Sequence, residues 1–203
     1  QDCLRTPFSV MNISFITGEK VYLRPLERDD LNEKYLGWLN DPEVNRYLET
    51  GLFPYTKNQL EQYYERLAGT TDKVILAVAE KGSDLHIGNV KLEPINWVHR
   101  TAVFGILIGD KSKWGKSYGT EATRLAVEYA FDRLNLRKVS LGVVAGNTAA
   151  FKTYQKLGFV VEGTKRQEVF LCGDFVDVLW MGLLKEEYQT HRLPAGRPSS
   201  VDG

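Results

Sequence analysis

The sequence predicts an α/β protein: one domain built on a single mixed sheet flanked by helices. Three observations predict it. Segments of strand-like and helix-like periodicity alternate in the order β-α-α-β-β-β-α-β-α-β-β. The 203 residues are 43% hydrophobic and 26% charged, the balance of a globular chain long enough to bury one core. Neither an internal repeat nor an interdomain linker interrupts the pattern.

Each element has its own warrant. "KVYLRPL" (residues 20–26) alternates apolar and polar residues as a half-buried strand does. In the helix that follows, Leu31, Tyr35, Leu36 and Leu39 share one face, with Asp29 or Asp30 as the expected N-cap. Asp41-Pro42 breaks it, and Pro42 suits the first position of a further helical turn. "TKNQLEQYYERLAG" is the second helix, with Thr56 and Gln59 at capping-box spacing and Gly69 as its stop. Strands are expected at 74–80, at 85–95 after a Lys-Gly-Ser-Asp turn, and at 101–109. The next helix, from about Thr120, carries an apolar stripe of Ala122, Leu125, Ala126, Tyr129, Ala130 and Leu134 at three- and four-residue steps. A strand at 138–144, a helix "NTAAFKTYQKLG" closed by Gly158, and two strands at 166–172 and 175–184 around a Gly173-Asp174 turn complete the domain. The domain is expected over 16–188, with a flexible N-terminal extension at 1–15, where Met11 leaves the native start open, and a Pro-, Gly- and Ser-rich tail at 189–203.

Bulk properties exclude several functions. The formal net charge of +0 supplies no field to hold nucleic acid or an anionic membrane. No apolar run approaches the roughly 20 residues that span a bilayer, and no signal-peptide pattern opens the chain, so a cytoplasmic location is expected. Cys3 and Cys172 cannot make a disulfide framework. Together with the scattered His86, His99 and His191 they give no metal-ligand spacing, and no metal is expected.

The stretch "GDKSKWGKSYGTEA", from Gly109, is the chemically suggestive one. It is not a P-loop, because five residues rather than four separate its first glycine from Gly-Lys-Ser. It does join a strand to a helix, where unpaired backbone N–H groups and the positive end of the helix dipole attract an anion. Gly115 and Gly119 would let the chain approach a phosphate closely, and Lys116 would add charge at the rim.

With its surroundings this stretch resembles the Gcn5-related N-acetyltransferase superfamily. That family's pyrophosphate loop reads Arg/Gln-x-x-Gly-x-Gly/Ala, and Trp114, Gly115, Lys116, Ser117, Tyr118 and Gly119 align with it, Ser117 replacing the usual central glycine. "NTAAFKTYQKLGFVVEG" matches a second motif, Asn147 followed seven residues later by Tyr154 and then by Gly-Phe. "RPLERDDL", "WLNDPEV", the closing strand pair and "EPINWVHRTAVFGILI" are similar to the branch containing ribosomal-protein N-terminal and spermidine acetyltransferases.

The resemblance implies a mostly antiparallel mixed sheet with a splayed central strand pair, and acetyl-CoA as cosubstrate. Its pantetheine arm would pair with backbone at Ile106, Leu107 and Ile108, as an added strand does. An N–H near Ile108 would stabilise the oxyanion. Residues Trp114 to Thr120 would hold the pyrophosphate, and Asn147 would reach the cofactor or cap its helix. Tyr154 stands at the family's general-acid position, a role that suits a phenol with a pKa of about 10. Relatives carry a glutamate in the strand where Val103 and Phe104 stand here, so Glu93, directly or through a water, and His99 are the candidate bases. Transfer is expected to be direct, since neither cysteine lies in the motifs.

The resemblance also implies the acceptor: a primary amine of a small molecule, a polyamine or amino sugar, or a protein N-terminus. Tyr47, Phe53 and Tyr55, in the neighbourhood of Trp38, would form an aromatic wall, and Glu43, Glu49, Glu61 and Glu65 are the available carboxylates. A homodimer is left open. The alternative function is a CoA-binding domain that has lost catalysis, a reading favoured by the missing strand glutamate and opposed by Tyr154.

Overall fold

In the computed structural model, residues 14–191 are described; Cys3 and Met11 lie outside them, as does the tail beyond His191. One sheet of eight strands runs in the order β1-β2-β3-β4-β5-β6-β8-β7. Its strands are β1 (Ile16–Thr17), β2 (Val21–Pro25), β3 (Val74–Glu80), β4 (His86–Asn96), β5 (Thr101–Ile108), β6 (Lys138–Val144), β7 (Val160–Leu171) and β8 (Asp174–Leu184). The helices are α1 (Glu33–Asn40), α2 (Lys57–Glu65), α3 (Tyr118–Asp132), α4 (Thr148–Lys156) and α5 (Lys185–His191). Every neighbouring pair is antiparallel except β5 and β6. The two-residue β1 and helix α5 add to the order expected from the sequence. Among the described residues no helix is long and apolar enough to cross a membrane.

The parallel pair is where the sheet opens. β5 and β6 are joined only over Thr101–Val103 and Lys138–Ser140. Beyond that they part, while β6 stays zipped to β8 through Val144. The strands therefore enclose a V whose apex is the Val103/Ser140 rung and whose arms end at the loops preceding α3 and α4.

Two cores flank the sheet. α3 and α4 cover one face, here called the back, burying Ala122, Leu125, Ala126, Ala130 and Tyr154 with Leu76, Val78, Val90, Leu92, Phe104, Leu141 and Val143. On the front, α1 and α2 bring Leu31, Tyr35, Trp38, Leu39 and Leu60 against Ala77, with Leu107 packed alongside.

Local signals explain most boundaries. Thr56 and Gln59 make the expected reciprocal capping box. The cap of α1 is Asn32, whose side chain accepts from the N–H groups of Lys34 and Tyr35, and not Asp29 or Asp30. Asp30 is drawn instead into the core, where it receives two bonds from Arg24, at 2.6 and 2.7 Å. Pro42 enters a non-helical turn, and the short 3-10 helix of this region is Glu49–Leu52. α2 ends at Glu65, and the turns after it run to Gly69, whose φ is +73°.

Candidate active site

The phosphate-type loop begins where β5 ends. Trp38 packs so closely over Gly109 that any side chain there would collide with its ring. The Trp114 indole N–H donates to the Ile108 carbonyl at 2.7 Å, folding the loop back on its own strand. Gly115 and Ser117 both take left-handed backbone, at φ +70° and +69°. Left-handed backbone costs a side-chain-bearing residue roughly 1–2 kcal/mol, the reason a glycine is usual there. With Ser117 in that conformation α3 starts at Tyr118, two residues before the expected Thr120, and the Ser117 side chain caps nothing. The first-turn N–H groups of α3 thus have no side-chain cap. A methyl group on Gly119 would meet Ile108 Cγ1 at 3.5 Å and Ile106 Cδ1 at 4.0 Å, both ordinary contacts, so the approach to those groups is clear. Bare N–H groups, left-handed turns and an open glycine fit a pyrophosphate.

Surrounding contacts hold this cradle rigid. The Glu121 carboxylate accepts from the Glu19 and Lys20 N–H groups of the β1–β2 turn. Lys20 Nζ donates to the Lys116 carbonyl at 3.0 Å. Tyr118 turns its hydroxyl to Glu80, 2.7 Å away, and Lys113 pairs with the same carboxylate at 2.6 Å. Lys113, helped by the Ser83 and Tyr118 hydroxyls, holds Glu80 down at about 2. Lys116 is exposed at the rim and Thr120 half-buried in the first turn of α3.

Ladder parity decides which backbone groups face the V. Gly109 N–H donates to Ile87 O at 3.0 Å, and the register pairs Gly88 with Ile108 and Asn89 with Leu107. In an antiparallel ladder alternate residues bond across the pair. Leu107 and Gly105 therefore turn their polar groups to β4, while Ile106 and Ile108 turn theirs toward the gap. Of the three residues expected to pair with a pantetheine arm, Ile106 and Ile108 offer free backbone N–H groups. Leu107 gives its backbone to β4 and its side chain to the α1/α2 core.

At the apex, Tyr154 comes from the back and Glu93 from the front. Tyr154 is 8% exposed, between the rings of Phe104 and Phe159. Burial pushes its phenol up to about 12, so it holds its proton at neutral pH. Glu93 lies in the β4 bulge opposite Val103, since Leu92 pairs with Phe104 and Ile95 with Ala102. Its two oxygens face Lys73 and Lys91, each at 3.6 Å. His99, the other candidate base, sits exposed in the β4–β5 turn. Asn147 caps α4 by accepting from the Ala150 N–H at 3.2 Å, and its amide NH2 has no partner among the described residues.

At the front of the V each arm carries a glycine. Gly105 shares the face of Leu107 on β5. On β6, Gly142 lies opposite in sense to the back-facing Leu141 and Val143, with Val178 and Trp180 beside it. Sequence reasoning missed both glycines, although an isolated glycine inside a strand is itself a sign of close approach. It also missed Tyr63 of α2, whose hydroxyl is pushed up by burial and by the nearby Tyr35, Glu93 and Tyr55. Tyr55 packs against the front core, whereas Phe53 is 76% exposed and Tyr47 lies beneath Arg46. Of the expected acceptor carboxylates, Glu43 pairs with Lys111 at 2.9 Å and Glu65 with Arg28 at 3.5 Å, while Glu61 and Glu49 make no ion pair among the described residues. Among the described residues no group of three His, Cys, Asp or Glu is placed to hold a metal ion.

A splayed parallel strand pair, a bare helix N-terminus at the end of one arm and a buried phenol at the apex define a class, the CoA-dependent N-acetyltransferases. The sequence comparisons agree. The chain belongs to the acetyltransferase (GNAT) domain family, whose profile matches residues 20–160. It is 34% identical to the spermidine N(1)-acetyltransferase of Escherichia coli (strain K12) over 182 residues, covering 88% of this chain and 94% of that protein. The crystal structure of spermidine N-acetyltransferase from Vibrio cholerae in complex with CoA and spermine superposes with a TM-score of 0.77 at 32% identity, covering 84% of this chain and 98% of that one. A putative ribosomal N-acetyltransferase of Bacillus subtilis is 30% identical over 102 residues, half of this chain and 55% of that protein. The chain is accordingly an acetyl-CoA-dependent N-acetyltransferase.

Proposed function

We propose that the chain moves the acetyl group of acetyl-CoA directly onto a primary amine entering from the α1/α2 face, and that a polyamine of the spermidine class is its acceptor. The observation that carries the first part is the continuity of the gap-facing Ile106 and Ile108 N–H groups with the bare N-terminus of α3. The similarity to spermidine acetyltransferases along nearly their whole length supports the second. Tyr55, Tyr63 and Glu93 supply the aromatic and anionic surroundings an ammonium favours.

In this reading the N–H groups of Gly115 to Thr120 hold the pyrophosphate, and Trp114 fixes the loop that carries them. Ile106 pairs with the pantetheine amides, and Asn147 adds its amide NH2. The Ile108 N–H donates to the thioester oxygen as negative charge develops there. Glu93 takes the proton of the attacking amine, directly or through a water, and Tyr154 gives one to the departing thiolate. Cys172 sits exposed at the β7–β8 tip and has no part in the transfer. A cytoplasmic location accords with the cosubstrate.

One observation favours a second acceptor. Two lysines, Lys73 and Lys91, face the single carboxylate Glu93. A net positive mouth suits an amine that also carries an anionic group, such as an amino-sugar phosphate, better than a polycation. Turnover of acetyl-CoA against spermidine, spermine, amino-sugar phosphates and peptides with free N-termini separates the two. Highest kcat/KM on spermidine or spermine supports the polyamine. Preference for the phosphates overturns it, and no turnover with any amine returns the chain to a CoA-binding domain without catalysis.

A further inference from the structure

The fold itself sets an amine at the front of the V. Lys91 stands opposite Gly105 in the β4–β5 ladder, two residues beyond the last rung between β5 and β6. Because Gly105 has no side chain, the Lys91 stem lies across that strand. A methyl group placed on Gly105 would come within 2.9 Å of Lys91 Cε and 3.1 Å of Cγ. The Lys91 ammonium is 3.6 Å from Glu93 Oε2, and its side chain is 51% exposed. Other lysines of this face are engaged away from the apex: Lys138 binds Glu162 at 2.6 Å, and Lys165 lies over the Trp180 ring and against Glu168. Lys73 reaches Glu93 from the far oxygen.

We propose that Lys91 is a self-acetylation site, the acceptor this enzyme uses when acetyl-CoA is bound and no free amine is present. The inference rests on the reading of the V as the acetyl-CoA site and of Glu93 as the base. Glu93 accepts a proton from the Lys91 ammonium. The neutral Nζ attacks the thioester carbonyl carbon, a C–N bond forms and the C–S bond breaks. The electron pair of that bond leaves on sulfur, which takes the Tyr154 proton, while the second proton of the attacking nitrogen passes to the Tyr154 phenolate. The products are Nζ-acetyl-Lys91 and free CoA, with one proton released to solvent once Glu93 and Tyr154 have returned to their starting states.

The modification changes the mouth in two ways. It removes one of the two cations facing Glu93, and it leaves a bulkier neutral acetamide over Gly105, where an incoming amine must pass. Acetylated enzyme therefore turns over external acceptors more slowly than unmodified enzyme.

The test is incubation of the full chain with acetyl-CoA alone, followed by intact mass and peptide mapping. The same chain unfolded in urea reports spontaneous lysine acetylation. The expected result is one acetyl group on Lys91, gained faster than at Lys138 or Lys165 and absent from Lys91 in the unfolded control. Tyr154→Phe should slow the gain by the same factor by which it slows transfer to an external amine, and Lys91→Arg should remove it. Equal acetylation of Lys91 and the other lysines, or of folded and unfolded chain, overturns the proposal. Turnover of an external amine with Lys91 left unmodified sinks self-acetylation and leaves the enzyme reading standing. Loss of both sinks the assignment of the V itself.

Discussion

Tyr154 of α4 meets Phe104 of β5 edge-on, with ring centroids 6.4 Å apart and planes at 85°. Phe104 is the first residue of β5 past the last rung to β6, so the contact fixes the phenol at the point where the two strands part. The hydroxyl has no hydrogen-bond partner among the described residues, and the ring does the packing. Tyr154→Phe therefore keeps the contact and removes only the proton donor. General-acid catalysis contributes about 10²–10⁴-fold, and kcat should fall by that much while acetyl-CoA affinity and melting temperature stay near the parent values. With the phenol raised to about 12, the parent should show no alkaline loss from this group near neutral pH. Single-turnover and steady-state rates check it together, because slow product release can hide a chemical defect. Rates unchanged in both would make Tyr154 a core residue.

Much of this arrangement was legible in the sequence, for a physical reason. Caps and strand alternation are local, so the Thr56–Gln59 box and the stripe on α3 could be read directly. The two motifs that flank the V are continuous in sequence as well, and they carried the proposal of a cofactor site. What could not be read depends on partners far along the chain. Asp30 is a plausible helix cap until Arg24 and His86 claim it, leaving Asn32 to do the capping. Leu107 is as apolar as its neighbours, and only the register against β4 shows that its backbone is spent there. The two bare positions at the front of the V were hidden because Gly105 and Gly142 offer no side chain to read.

Gly119 tests the phosphate cradle. The Cβ of a valine there would meet Ile108 Cγ1 and Ile106 Cδ1 at ordinary contact distances, so the fold should survive. Its branches would stand between an incoming phosphate and the first-turn N–H groups of α3. CoA binding by Gly119→Val should weaken at least tenfold, about 1.4 kcal/mol, with melting temperature within a few degrees of the parent. Calorimetric titration with CoA measures it, and undiminished affinity in a folded variant would move the pyrophosphate elsewhere.

Ser117 makes the converse case. Its left-handed backbone, at φ +69°, is strained for serine and free for glycine, and its hydroxyl caps nothing. Ser117→Gly should stabilise the protein by up to about 1 kcal/mol after the extra unfolded-state freedom of glycine is allowed for. CoA affinity should hold or improve. A destabilised Ser117→Gly protein would mean that the hydroxyl has a partner in solution.

Arg24 and Asp30 form a buried bidentate pair, both about 95% shielded from solvent. Burial works to raise the Asp30 carboxyl, and the Arg24 guanidinium with the Glu27 N–H overrides it. Asp30→Ala should cost about 3–5 kcal/mol, because it leaves the guanidinium buried and unpaired. Replacing both residues with Met and Leu should cost much less. Urea unfolding of the three proteins decides it, and equal losses in the single and double variants would show that packing, not charge, is what the pair contributes.

His86 makes the same cluster sensitive to pH. Its ring lies 3.6 Å from Asp30 Oδ1 and 3.0 Å from Asn89 Oδ1, edge-on to Tyr35 and Trp38, with Arg24 across the Asp30 carboxylate. Burial lowers its pKa, opposed by Asp30 and Asn89 and aided by Arg24, and the net shift is downward. The folded protein therefore keeps His86 neutral at a pH where the unfolded chain, with a histidine pKa near 6.5, already binds a proton. Where the unfolded state binds more protons, stability rises with pH. The contribution is fully present above about 6.5 and is lost as pH falls through and below that value. Carboxylates held low, Asp30 and Glu80 among them, add a separate loss only at more acidic pH. Melting temperatures at closely spaced pH values from about 7.5 to 5 should fall in the parent and fall less in His86→Gln, whose amide can bond Asn89 but cannot titrate. Because Lys34 Nζ donates to the His86 carbonyl and Trp38 packs on Gly109, protonation would also loosen α1 from the start of the phosphate loop. CoA affinity should weaken over the same pH interval, and parallel curves for parent and variant would exclude His86 as the titrating group.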